Sequence, residues 1–163
     1  LNHRDALELA HNNNIKLTIH ADWEVPKGIH EVVLEVKSNR IGHGSQIVND
    51  FEYHNDRIVF KNDAAKYVYD NQIALELCPT SNMQCGSCKS IAEHPFQKLY
   101  DAGFNVTINT DNRLMSNTSM SREVLNLVDA FDFTEDQIRK ITYNTVKAGF
   151  IDEKKKSKLL NIL

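Results

Sequence analysis

The chain has 163 residues, 41% of them hydrophobic and 25% charged, with a formal net charge of −3; this is enough apolar sequence to bury a core, and it carries no basic field of the kind that draws nucleic acid. Only three prolines and six glycines argue against a disordered or low-complexity chain, and no apolar run approaches the roughly 20 residues of a membrane span. Three cysteines are an odd number and do not suit a secreted disulfide framework; with no signal-peptide pattern at the start, the expected location is cytoplasmic, with neither nucleic acid nor membrane as partner.

Asp5 to Asn13 reads as the end of a helix, and Lys16 to His20 as a strand carrying Leu, Thr and Ile. Gly28 to Lys37 sets Ile29, Val32, Val33 and Val36 at helical spacing, and Arg40 to Gly44 is a second short strand. From Phe51 to Tyr69 the pattern is mixed and contains at least one helix ending near Asp70. Ile73 to Cys78 is a third strand, stopped by Pro79. A helix from about Pro95 to Ala102, closed by Gly103, leads to the fourth strand, Asn105 to Asp111. Ser121 to Phe131 and Thr134 to Ala148 follow, the latter opened by Thr134 in the manner of an N-cap. Strands separated by helical segments of this length predict right-handed βαβ units, an α/β fold and a parallel sheet.

Each of the four strands ends in polar residues suited to metal and proton chemistry: His20, then Gly42-His43-Gly44, then Cys78-Pro79-Thr80-Ser81-Asn82, then Asn109-Thr110-Asp111. In α/β proteins reactive side chains gather at the carboxyl ends of parallel strands, because the loops that follow open into a shared crevice. Taken singly, each has an ordinary reading. His20 reads as a ligand or as a hydrogen-bonded core residue. Asp111 reads as a metal ligand or a helix cap, since an unpaired buried charge is costly. His43 fits a turn of no function as well as an accessible catalytic ring, and Cys78 to Asn82 fits a polar loop. Cys85-Gly86-Ser87-Cys88 has no second C-x-x-C, no following His and no suitably spaced His pair to complete a zinc site, and a metal or redox role is not expected of it.

Thr18-Ile19-His20-Ala21, Arg40-Ile41-Gly42-His43-Gly44, Leu75-Glu76-Leu77-Cys78-Pro79-Thr80-Ser81-Asn82 and Asn109-Thr110-Asp111-Asn112, in this order and spacing, resemble the adenosine deaminase family of the amidohydrolase superfamily over almost the whole chain. The resemblance implies a (β/α)₈ TIM barrel of which residues 1–163 are a single domain, the C-terminal half with strands five to eight. It implies zinc-dependent hydrolytic deamination of adenosine or deoxyadenosine to inosine or deoxyinosine plus ammonia. Zn²⁺ is then held by His20 and Asp111 together with an H-x-H pair from the first half. His43 orients the attacking water and takes its proton or stabilises its charge, Asp111 also holds that water, and Asn112 stands where many members have an Asp that donates to purine N7.

Two departures carry weight. The family reads H-A-G-E where this chain has His20-Ala21-Asp22-Trp23-Glu24, so the proton donor to N1 is expected to be Glu24, displaced by one position, with Asp22 as the alternative. A full barrel needs about 250 residues, so the chain is expected to be a fragment, inactive in isolation because two ligands do not fix a zinc site. Its two outer strands, Lys16 to His20 and Asn105 to Asp111, are expected to pair with the N-terminal half-barrel or with a second copy. The alternative is a catalytically impaired relative that binds nucleosides or a partner protein. A cytidine-deaminase-like zinc site is set aside, since His20-Ala21-Asp22 lacks the Glu of H-x-E and Gln84 replaces the Pro before Cys85.

Overall fold

The computed structural model describes residues 3–21, 28–55 and 57–163. Helix α1 (Arg4–Asn12) precedes β1 (Thr18–Ala21); a short helical turn α2 (Gly28–His30) runs into a π-type turn (Glu31–Glu35) and on to β2 (Arg40–His43). Strands β3 (Phe51–His54) and β4 (Arg57–Phe60) come before α3 (Asp63–Asp70), β5 (Ala74–Leu77), α4 (Pro79–Gln84), α5 (Phe96–Asp101) and β6 (Val106–Ile108). The chain closes with α6 (Arg113–Ser116), α7 (Met120–Phe131), α8 (Glu135–Ala148) and α9 (Glu153–Leu160).

The four predicted strands form one sheet in the order β1-β2-β5-β6, parallel throughout. β1 and β6 are its edges, as expected. Register partners in a parallel sheet share a face, and residues along a strand alternate between faces. Ile19, Ile41, Leu75, Leu77, Val106 and Ile108 therefore lie on one side. That side faces Val33, Ala65, Val68, Phe96, Leu99, Leu127 and Ile141, all 0–1% exposed and all in the same core cluster. At roughly 1.5–3 kcal/mol per buried side chain, this packing outweighs the weak intrinsic stability of strands three or four residues long.

The opposite face is polar. Thr18, His20, Arg40, Gly42, Glu76 and Thr107 share it by register. Glu76 joins three strands there, accepting from the Thr18 hydroxyl at 2.7 Å and lying 2.9 Å from Arg40 Nε. The Arg40 guanidinium stacks on Phe150, 3.7 Å from the ring centroid, and donates to the Ala148 carbonyl. The segment after α8 is thereby tied to the amino end of β2.

Local signals account for the helix starts. Asn62, Ser119 and Asp152 cap α3, α7 and α9 through their side chains, and Thr134 forms a reciprocal box with Gln137 at α8. Three elements differ from expectation. The helix read from Gly28 to Lys37 widens at an i→i+5 bond from Val36 N–H to Glu31 O, which keeps Ile29, Val32, Val33 and Val36 all buried. The mixed stretch after Phe51 begins with the antiparallel β3–β4 hairpin. It packs through Phe51 and Phe60 onto Phe104 and Tyr69, with ring centroids 5.1–6.5 Å apart. Pro79 to Gln84 is a helix, not a loop: Pro79 stands in its first turn, where the missing N–H costs nothing.

Candidate active site

β1 delivers His20 to its carboxyl end, exposed, with its ring 4.8 Å from that of His43 and edge-on to it. Strand alternation alone would send His43, the register partner of Ala21, toward the helix layer. Its backbone instead turns left-handed, at φ +60°, and the ring meets His20. Both flanking glycines are required by this corner. A Cβ on Gly42 would come within 3.1 Å of the His20 Cα, and one on Gly44, itself at φ +70°, within 2.9 Å of Leu75.

Asp111 also holds a left-handed backbone, at φ +54°. Non-glycine residues in this region cost of order 1–3 kcal/mol and cluster where a side chain must be aimed. Its Oδ2 accepts from the Ser81 hydroxyl at 2.7 Å and lies 3.9 Å from His43 Nε2. The reading of Asp111 as a helix cap is overturned: Asn112 is the cap of α6, its Oδ1 accepting from Leu114 and Met115 N–H at 3.2 and 3.1 Å. That leaves the Asn112 NH₂ to donate elsewhere. His20, His43 and Asp111, from three different strands, thus lie side by side at one end of the sheet. Glu24 and its alternative Asp22 lie outside the described residues.

Four contributors had no individual role in the sequence reading, although two of them, Ser81 and Asn82, lie in the polar run that follows the third predicted strand. Ser81 and Asn82 stand in α4, both buried. Asn82 Nδ2 is 3.3 Å from His43 Nδ1, and its Oδ1 lies 3.2 Å from Nε2 of His94, which is 3% exposed. Glu123, fully buried on α7, accepts from Thr80 N–H at 3.1 Å and from the Thr118 hydroxyl. It joins the start of α4 to the segment that follows α6. The available signals were a polar run directly after a strand and a His-Pro pair opening a helix.

Burial acts on two titratable groups here. It pushes the Cys78 thiol up to about 12, helped by Asp111, so this cysteine stays protonated and hydrogen-bonded to the Glu76 carbonyl and is no nucleophile. It pushes His94 down to about 4, with His43 adding to the effect. The unfolded chain takes up this proton below about pH 6.5 and the folded chain does not, so the contribution of His94 is fully present above pH 6.5 and is lost toward pH 4. The expected loss is up to about 3 kcal/mol. Denaturant unfolding at pH 7 and pH 4.5 checks this, and His94→Gln should flatten the difference.

An imidazole and a carboxylate at the carboxyl end of one parallel sheet, on its first and last strands, are donors that suit zinc. Among the described residues no cluster of three or more His, Cys, Asp or Glu is close enough to hold a metal ion, so further ligands would have to come from elsewhere. The fold is shared with solved deaminase and amidohydrolase structures. An adenine deaminase from Arthrobacter aurescens superposes with a TM-score of 0.85 at 22% identity, over 97% of this chain and 45% of that one. An amidohydrolase from Burkholderia ambifaria, with bound Zn, superposes with a TM-score of 0.74 at 22% identity, over 95% and 41%. The family model described as adenosine deaminase matches residues 1–163. The curated adenosine deaminase of Mycobacterium marinum is 46% identical over 151 residues, 91% of this chain and 41% of that protein. The chain belongs to the adenosine deaminase family, and it spans about two fifths of the length of the curated relatives it matches.

Proposed function

We propose that residues 1–163 form the C-terminal half of a (β/α)₈ barrel and that the complete protein hydrolyses the exocyclic amine of adenosine or deoxyadenosine, releasing ammonia. The observation that carries this reading is the meeting of His20, His43 and Asp111 at the carboxyl ends of parallel strands in a chain of this family. His20 and Asp111 would hold a zinc ion together with ligands from sequence outside this chain. When bound, zinc supplies the Lewis acidity that makes water a nucleophile near neutral pH. Its presence in a solved structure of the same fold supports the choice of metal.

The chain's own residues do the rest. Asp111, kept in place by Ser81, orients the attacking water. His43, whose Nε2 lies 3.9 Å from Asp111 Oδ2, stabilises or relays the charge of that water as C6 becomes tetrahedral. Glu24 gives a proton to N1, and the Asn112 NH₂ donates to N7. Thr18, Arg40 and Glu76 brace the strands beneath. The open edges of β1 and β6 are proposed to pair with an N-terminal half-barrel, self-pairing being the other arrangement open to them. The proposed setting is the cytoplasm; among the described residues no helix is long and apolar enough to cross a membrane.

The test is adenosine loss, followed by ultraviolet absorbance, in the complete zinc-loaded protein and in its His43→Ala variant. We expect the variant to retain zinc while kcat falls by about a hundredfold or more; an unchanged kcat would remove His43 from the reaction. A second reading, a catalytically impaired relative that binds nucleosides, has in its favour Trp23 at the place where the family carries its donor. Zinc and nucleoside binding without turnover would establish it.

A further inference from the structure

A chain of hydrogen bonds runs from the backbone behind the site to the His43 ring, and its direction is set at both ends. His94 closes the short turn before α5, and its Nδ1 accepts the Phe96 backbone N–H at 3.1 Å. An imidazole whose Nδ1 accepts carries its proton on Nε2, and burial keeps this ring neutral, at about pKa 4. Nε2–H therefore donates to Asn82 Oδ1, 3.2 Å away. The Cys78 backbone N–H converges on that same atom at 3.3 Å. Two independent N–H groups aimed at one atom identify it as the amide oxygen, so the Asn82 NH₂ is the end that meets His43 Nδ1, at 3.3 Å. An amide NH₂ only donates.

We infer that His94 and Asn82 are positioning residues that hold His43 as its Nε2–H tautomer, with a bare Nδ1 toward Asn82 and a donor toward Asp111. The neutral ring then offers a hydrogen bond on the side where Asp111 Oδ2 lies, instead of a lone pair. In catalytic terms, which rest on the deaminase reading, His43 in this form fixes and stabilises an oxygen by donation. The tautomer assignment does not depend on that reading.

The experiment is a ¹⁵N-histidine spectrum of the complete protein, in which two-bond ¹H–¹⁵N correlations report each ring's tautomer and His43→Gln identifies the His43 signals. The wild type should show Nε2–H at His43. In Asn82→Asp, almost the same shape, a carboxylate oxygen replaces the NH₂ and accepts from the ring, so Nδ1–H should dominate. kcat should then fall by about 10- to 100-fold, with KM within about threefold. His94→Phe should lose about tenfold and His94→Gln, which restores a donor to Asn82 Oδ1, should recover most of it. A wild-type ring in the Nδ1–H form overturns the inference whether or not any variant folds. So does an Asn82→Asp protein with unchanged tautomer and kcat. A wild-type Nε2–H ring in a protein with no deaminase turnover leaves the positioning intact and defeats the functional reading alone.

Discussion

Alanine at His20 or at Asp111 in the complete protein is expected to remove bound zinc and deaminase activity together, with turnover falling by about a thousandfold or more. The size follows from what a metal contributes to such a reaction, several kcal/mol of stabilised charge, at 1.36 kcal/mol for each tenfold in rate. Both residues approach the same neighbour, His43, at 4.8 Å between rings for His20 and 3.9 Å between Nε2 and Oδ2 for Asp111. Zinc sites need three or four donors in fixed geometry, so the loss of one protein ligand costs most of the affinity. Metal content by mass spectrometry, measured beside kcat, separates these variants from His43→Ala, which should keep its zinc. A His20→Ala or Asp111→Ala protein with full metal and normal turnover would take that residue out of the site.

The second large effect is on stability. Glu123 is 0% exposed, and its two oxygens serve Thr80 N–H and the Thr118 hydroxyl. Glu123→Leu keeps the volume roughly and removes both acceptors. A buried donor such as Thr80 N–H left without a partner costs about 1–3 kcal/mol and the half-buried Thr118 hydroxyl less, so the unfolding free energy should drop by about 3 kcal/mol, read from denaturant titration. The damage should not stay local. Thr80 lies at the start of the helix that carries Ser81 and Asn82, and Thr118 lies beyond the turn that carries Asp111 and Asn112. Loosening that link should therefore also weaken zinc binding. A variant that unfolds at the wild-type denaturant concentration would show that this carboxyl contributes nothing net. Glu123→Gln, which retains one acceptor, should fall between the two.

Local sequence determined a good deal about this protein. Apolar runs placed β1, β2, β5 and β6, because a strand buried on one face must repeat its apolar side chains every second residue; that β1 and β6 stand at the edges followed only from the family resemblance, since no local pattern encodes strand order. His20, His43 and Asp111 were legible because they directly follow such runs, and Thr134 because a cap must precede its helix. The β3–β4 hairpin was not legible: Glu52 and His54 face outward, and only the distant rings of Tyr69 and Phe104 make burial of Phe51 and Phe60 worthwhile. Nor could sequence say which of Asp111 and Asn112 caps α6, since both are good caps; the left-handed turn at Asp111 decided it by aiming that side chain away. The links among Ser81, Asp111, Asn82, His94 and His43 join positions 12 to 39 residues apart. They exist only because the parallel crossovers bring those strand ends together, and no local pattern encodes which polar side chain will find which partner there.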